Sequence, residues 1–501
     1  MNTDHLIASV CVRCQSYLRP ATLAAIAVFF ALGMGTGAGG QALAPQNPPR
    51  SHREESKELA LKITAPFTLA AVGDLIELQP LTSQDPAYMQ LISHISSADV
   101  GFGNMEISLV DLAHFQGAMT GTLAPMEVGP AIKDMGIKIV NHANNHAFNG
   151  GAAGMFSTDA ALDQLGIVHA GTGKDLNEAR AAHFLETPKG RVGVVGMFSV
   201  DDISSFGPNY EGAEATYRVG YTGGAPGVNP LHLTAFHIVS PEQLQSLRAI
   251  RDAVYGHTAL AAANDAAAGG SKDRLKFFDE WYEAGPNPGA LSYTMDPNDE
   301  RDILDSIRNG KILSDFMIAT IHVHQTSNVE TQFNGGIDHT APDFLVKLAH
   351  EAIDNGADVF VGHGAHCLRG VEIYKGKPIF YGVSNFILLA PFQPGATDEI
   401  ARRANTVTHL PVAEATQEAI LTTSRYEAGR LVEVRIYPVD VGGPERPISQ
   451  VGIPRTPSPE VARRILEEIQ TLSKPFGTTI SIENNVGVIH VAPAATEQSR
   501  N

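Results

Sequence analysis

One repeating pattern constrains this chain more than any other feature: short apolar runs alternate with amphipathic stretches. Residues 67–72, 98–102, 137–140, 167–169 and 191–198 have the length and composition of strands. Between them, 87–97, 130–135 and 157–165 carry apolar residues at helical spacing. Strands that alternate with helices in this way predict an α/β fold, a sheet with helices packed over it.

Beyond residue 200 the pattern loosens. Residues 201–299 are rich in Gly, Pro and Asn, with amphipathic stretches read as helices at 241–255 and 272–282, and they predict an insertion. Alternation resumes with a strand at 316–321, a helix at 342–355 and strands at 358–361, 371–374 and 378–383, with a turn at Gly376. The main domain therefore spans 59–394. Residues 395–501 predict a small C-terminal β/α extension, with strands near 418–424 and 431–437 joined at Gly429. A helix capped by Ser458 follows and ends near 472.

Residues 1–44 have the order of an export signal. Arg13 and Arg19 precede an apolar run at 21–34, and small residues follow through Gly40 and Ala44. The run is short for a full membrane span. It reads either as a cleaved signal peptide or as an uncleaved membrane anchor. Both readings place the remaining chain outside the cytoplasm, periplasmic or extracellular. Residues 45–58 form a linker. Cys11 and Cys14 lie in the leader and Cys367 stands far from them, so a disulfide scaffold is not expected. The formal charge of −18 repels phosphate backbones and argues against nucleic acid as a partner. It does not exclude an anionic substrate, since a bound divalent metal reverses the local field.

The chemistry lies at the strand ends. Asp74 ends the first strand and Glu106 follows the second. Asn144, Asn145 and His146 follow the third. His322 and His324 end the strand after the insertion, and His363 and His366 follow the next one. In α/β sheets, ligands gather beyond the carboxyl ends of the strands. Carboxylate oxygen and imidazole nitrogen suit zinc, manganese or iron, as one ion or two. Each residue alone is weak evidence, since Asn pairs form turns and single histidines are commonly structural. The recurrence of ligand types after five different strands carries the inference. Arg369, near His366, is placed either for a phosphate or carboxylate or for an ion pair. Cys367 reads as a small buried hydrophobe or as a thiol activated by its neighbours.

Gly73-Asp74, Asn104-Met105-Glu106, Ala143-Asn144-Asn145-His146, Ala319-Thr320-Ile321-His322 and the run from Gly356 to His366 resemble the CapA-type poly-γ-glutamate synthesis proteins. Ser384-Asn385-Phe386 and the stretch from Leu165 to Gly173 add to the resemblance, which covers roughly residues 65–390. It implies a calcineurin-like metallophosphoesterase fold: a four-layer α/β/β/α sandwich, here with the insertion and the C-terminal extension. It also implies metal ligands at Asp74, Glu106, Asn145, His322, His363 and His366, and a catalytic role for His146, with Glu106 beside it. Asn104, His324 and Arg369 are then expected to bind substrate.

Three positions depart from the wider phosphoesterase pattern. Ile76 stands where a ligand His lies two residues after the first Asp, Asn149 where an Asp follows the Asn-His pair, and Val323 where a Trp follows the His322 position. These departures predict that one metal position is weakened. The expected activity is metal-dependent hydrolysis of a phosphoester or of a γ-glutamyl polymer. The alternative is a non-enzymatic subunit that binds the anionic polymer or a capsule synthase.

Overall fold

A computed structural model describes residues 57–491, apart from 120, 202–213, 217–222, 334–336, 390–416, 443–445 and 447–449. The expected leader, most of the linker and part of the insertion lie outside the described residues. Among the described residues, no helix is long and apolar enough to cross a membrane.

Six strands hold the site: β1 (Phe67–Ile76), β2 (Val100–Met105), β3 (Ile137–Asn141), β4 (Gly190–Val200), β5 (Phe316–His322) and β6 (Val359–His363). The first three run parallel in one sheet and the last three run parallel in a second. Alternation along each strand makes two faces. Phe67, Leu69 and Ala71 of β1, with Phe102 of β2 and Ile139 of β3, face one common core with Val192 and Val194 of β4, Phe316 and Ile318 of β5, and Val359 and Val361 of β6. The opposite face of the first sheet, including Val72, Leu75 and Met105, is covered by the helices Pro86–Ser96, Val128–Asp134 and Gly151–Leu165. The opposite face of the second sheet, including Met197, Met317 and Phe360, is covered by Pro297–Leu313 and Asp343–Asp354. The result is the expected α/β/β/α sandwich.

Aromatic packing ties the two sheets together. The rings of Phe67 and Phe316 are 5.1 Å apart, and Tyr426 lies 5.0 Å from Phe316. Fully burying a side chain of this size stabilises by about 1.5–3 kcal/mol. Tyr426 belongs to the strand Glu418–Glu427, which pairs antiparallel with β1. The C-terminal extension is therefore built into the first sheet, and Ile465, Leu466 and Ile469 of the helix Pro459–Ser473 enter the shared core.

The insertion contributes strands as well as helices. Pro230–Val239 runs parallel to β4 and carries Leu291–Met295 and Glu280–Ala284. The helix expected at 241–255 is present as Pro241–Tyr255, with a capping box formed by Ser240 and Gln243. The helix expected at 272–282 is not. That segment is the hairpin Arg274–Phe277 and Glu280–Ala284, with Phe278 in the turn at φ 54°. Leu275, Phe278 and Tyr282 imitate helical spacing, but Phe278 is exposed in the turn and Leu275 pairs with Tyr282 across the hairpin.

Candidate metal centre

The expected donors converge from the carboxyl ends of five of these strands, β1, β2, β3, β5 and β6. Parallel pairing sets His322 opposite His363 and Asp74 opposite Asn104. The side chains of Asp74, Glu106, His322 and His363 are 0 % exposed. Those of His146 and His366 are 28 % and 29 % exposed, so these two rings form the mouth of the centre. Two glycines permit this crowding. A Cβ on Gly73 would lie 1.7 Å from the carbonyl oxygen of Ser384, and one on Gly364, at φ 95°, would lie 2.8 Å from the His322 ring.

Three asparagines set the carboxylates. Asn144 Nδ2 donates to the Met105 carbonyl at 2.8 Å and Asn141 Nδ2 to the Ala143 carbonyl at 2.8 Å, which fixes both amides. Both also donate to Asn104 Oδ1, at 3.2 and 2.9 Å. Asn104 therefore turns its Nδ2 toward the carboxylates, 2.8 Å from Asp74 Oδ1 and 3.4 Å from Glu106 Oε2.

Hydrogen bonds also fix the imidazoles. The hydroxyl of Thr320 lies 2.9 Å from the Val361 carbonyl and 2.9 Å from His363 Nε2. His322 Nδ1 stands 3.1 Å from His363 Nδ1 and 3.2 Å from Asn104 Nδ2. His146 presents an unprotonated Nε2: its Nδ1 donates to Asn149 Oδ1 at 2.8 Å, and that oxygen also accepts from the Thr122 amide at 2.8 Å.

These nitrogens meet at one atom. Glu106 Oε1 is buried without a hydrogen-bond partner. Around it stand His322 Nε2 at 3.7 Å, His366 Nε2 at 3.8 Å and His146 Nε2 at 3.9 Å. These separations are too long for hydrogen bonds. They exceed by a few tenths of an ångström the about 3.0–3.4 Å between donors around one cation when each bond is ~2.1 Å, a gap that small side-chain movements close. Asn145 Oδ1 is a second buried oxygen without a partner. Three sets of donor atoms are compact enough for an ion: Asp74 with His322 and His363, Glu106 with His322 and His324, and Asp74 with Glu106 and His366. The residues present therefore fit a divalent metal.

Electrostatics agree. Burial pushes Asp74 upward, but the hydrogen bond and charge of His366, the charge of His363 and the Asn104 amide outweigh it and hold the carboxyl below its ordinary range. Burial, then the charge of Asp74, drives Glu106 well above its ordinary range. Burial holds His146 and His363 down to about 4, and lowers His322 and His324 well below ordinary imidazole. His366 is raised, because Asp74 and Asn385 outweigh its burial. Neutral imidazoles are metal ligands.

A family model described as bacterial capsule synthesis protein PGA_cap matches residues 68–389, a stretch that contains every donor named above. The chain belongs to that family. It is similar over most of its length to the uncharacterized protein y4sH of Sinorhizobium fredii, with 34% identity over 462 residues, 86% of this chain and 95% of that protein. It is also similar to the capsule biosynthesis protein CapA of Bacillus anthracis, 22% identical over 349 residues, 68% of this chain and 62% of the relative. The PGA biosynthesis protein CapA of Bacillus subtilis is 22% identical over 256 residues, 51% of this chain and 44% of the relative.

In this PGA_cap protein the structure brings together Asp74, Asn104, Glu106, His146, His322, His324, His363 and His366. Arg369 is fully buried, and its Nε and Nη2 donate to the carbonyls of Asp338 and Gln325 at 2.9 and 2.8 Å. Cys367 is buried too, and burial pushes its thiol up to about 11, so it is not an activated nucleophile. Sequence reasoning missed the positioning roles of Asn141 and Thr320. Asn141 ends a strand beside the predicted ligands, the same signal that found Asp74 and His322. The PGA_cap motif containing Asn385 carries a further contact, its Oδ1 lying 2.7 Å from His366 Nδ1.

Proposed function

We propose that this PGA_cap protein is an exported, metal-dependent hydrolase acting on an anionic phosphoester or γ-glutamyl polymer. The carrying observation is the convergence of three imidazole Nε2 atoms on the partnerless Glu106 Oε1. Glu106, His322 and His366 would hold the ion, with Asp74 and Asn145 as further donors, which leaves His146 Nε2 free. A bound divalent ion supplies Lewis acidity toward the substrate oxygen and lowers the pKa of its water.

The chain's own residues do the rest. Asn104 orients both carboxylates. His146, at the mouth with its Nδ1 hydrogen on Asn149, offers Nε2 to take a proton from the attacking water and return it to the leaving group. The burial of Asp74, Glu106 and His322 excludes bulk water from the floor of the centre. The apolar leader at 21–34 supports export.

The test is hydrolysis by the purified full chain with added Mn²⁺, over a panel of phosphoesters and γ-glutamyl peptides, beside metal quantification. Activity that falls about 10²–10⁴-fold in His146→Ala supports the reading. Full activity in that variant sinks it.

The names of the two CapA relatives favour a second reading, in which the chain is a non-enzymatic capsule subunit that binds poly-γ-glutamate or its synthase. Sedimentation with purified poly-γ-glutamate, together with failure to hydrolyse any member of the panel, would select it.

A further inference from the structure

Ser108, Thr122, Asn149 and His146 close a ring of hydrogen bonds at the mouth of the centre. The Ser108 amide donates to the Thr122 carbonyl at 2.9 Å, and Ser108 Oγ donates to the His146 carbonyl at 3.1 Å. On the other side of the ring, His146 Nδ1 and the Thr122 amide meet on Asn149 Oδ1, each at 2.8 Å. A backbone amide only donates, so the atom they share is the Asn149 oxygen. The Thr122 hydroxyl is a third partner of that oxygen, at 2.9 Å, and its next neighbour is the Glu106 carbonyl at 3.3 Å.

Thr122 reaches this place from a separate stretch of chain. The strand Ser108–Val110 follows Glu106 and pairs with Leu123–Pro125, so the chain leaves the centre and returns to it. Gly121, at φ 72°, allows the close return: a Cβ there would lie 2.2 Å from the Asn149 side chain. Valine has nearly the shape of threonine, so the hydroxyl at 122 serves hydrogen bonding rather than packing.

We propose that Thr122 is a positioning residue for His146. It holds the Asn149 amide, and the bond that a ring nitrogen makes sets where the other nitrogen points. Thr122 thereby aims His146 Nε2 into the mouth. It meets Glu106 only at the backbone carbonyl, so the carboxylate that faces the ion does not depend on it. The inference rests on His146 as the base of the proposed hydrolase, and a direct view of the imidazole separates the two.

The experiment uses the full chain with histidine isotope-labelled at nitrogen, as wild type, Thr122→Val, Thr122→Ser, Gly121→Ala and His146→Ala. Proton–nitrogen correlation spectra identify the His146 ring by the signals that His146→Ala removes, and circular dichroism checks folding. Wild type is expected to show an Nδ1–H signal protected from exchange with water. Thr122→Val should shift and broaden that signal and lower kcat about 3–10-fold, the worth of one hydrogen bond, with KM and Mn²⁺ affinity unchanged. Thr122→Ser should restore both the signal and kcat. Gly121→Ala, which pushes the Asn149 amide away, should lower kcat further, by up to about 10²-fold. A wild-type His146 signal in folded Thr122→Val would overturn the proposal, whatever the activity. Mn²⁺ affinity that falls in step with kcat would overturn it too, since Thr122 would then support the ion. The expected spectra in a protein that hydrolyses no member of the substrate panel would uphold the positioning role and sink the hydrolase reading.

Discussion

Asn149 Oδ1 accepts the Nδ1 hydrogen of His146 at 2.8 Å, so a neutral amide stands where the wider phosphoesterase pattern has a carboxylate. With no charge there, burial dominates and holds His146 at about 4. A base of that pKa is unprotonated across neutral pH, and activity should fall only as the pH drops through about 4. Asn149→Asp places a negative charge on the imidazole and favours its protonated form. The acid limb of kcat/KM against pH should therefore move upward by roughly 1–3 units in the variant. An unmoved limb would remove His146 from the rate-determining proton transfer.

Glu77 gives a pH dependence of stability rather than of activity. Its side chain is fully buried, Oε1 accepts from the Leu81 amide at 2.6 Å, and Oε2 has no partner. Burial raises the carboxyl to about 8 against the Leu81 bond. A raised folded-state value contributes its stability fully below the unfolded value near 4.5 and loses it as the pH rises to about 8. The loss is on the order of 5 kcal/mol at ~1.4 kcal/mol per unit. Urea unfolding of the metal-free protein from pH 5 to pH 8 should show this fall. Glu77→Gln should flatten it, and equal slopes in the two proteins would refute the assignment.

Much of this centre was legible because each ligand follows a strand, and a strand that ends on Asp, Asn or His stands out in one dimension. Asp74, Glu106, His322 and His363 were readable for that reason. The hydrogen bonds that orient them were not. Asn104 and Asn141 lie 37 residues apart in sequence, and Thr320 and His363 lie 43 apart, so no local period encodes either contact. The insertion failed for a different reason. In 272–282, Leu275 and Tyr282 are a helical two turns apart in sequence, and only the hairpin, which sets them opposite each other, and its pairing with the strand Pro230–Val239 reveal the strands.

Gly364 links the backbone to the centre. Its amide donates to Asp74 Oδ2 at 3.2 Å, and its φ of 95° disfavours any other residue. Gly364→Ala adds backbone strain of about 1–3 kcal/mol and a methyl group against the His322 ring. The melting temperature should fall, and Mn²⁺ affinity should fall more than tenfold as the ring is displaced, a loss of ~1.4 kcal/mol or more. A normal melting curve with normal Mn²⁺ affinity would show that the turn relaxes freely.

The register that sets His322 beside His363 is anchored at the other end of the same two strands. Asp358 Oδ2, at the start of β6, accepts from the Met317 amide of β5 at 2.9 Å and from Lys311 Nζ at 2.7 Å. Lys311 and Asp358 side chains are 0 % and 1 % exposed, and Lys311 Nζ also donates to the Asp315 carbonyl at 3.0 Å. Removing one partner of a buried pair costs about 3–5 kcal/mol, because the other charge is left uncompensated. The two partners are not equivalent. Lys311→Met leaves Asp358 with the Met317 amide and with Lys377, whose Nζ lies 3.2 Å from Oδ1. Asp358→Ala strands the Lys311 ammonium and orphans the Met317 amide together. Asp358→Ala should therefore be the more destabilising in urea unfolding, and it should also weaken Mn²⁺ binding, since β5 and β6 carry the facing histidines. Equal losses in the two variants would mean that the Met317 amide finds another acceptor and that the strand register does not depend on this carboxylate.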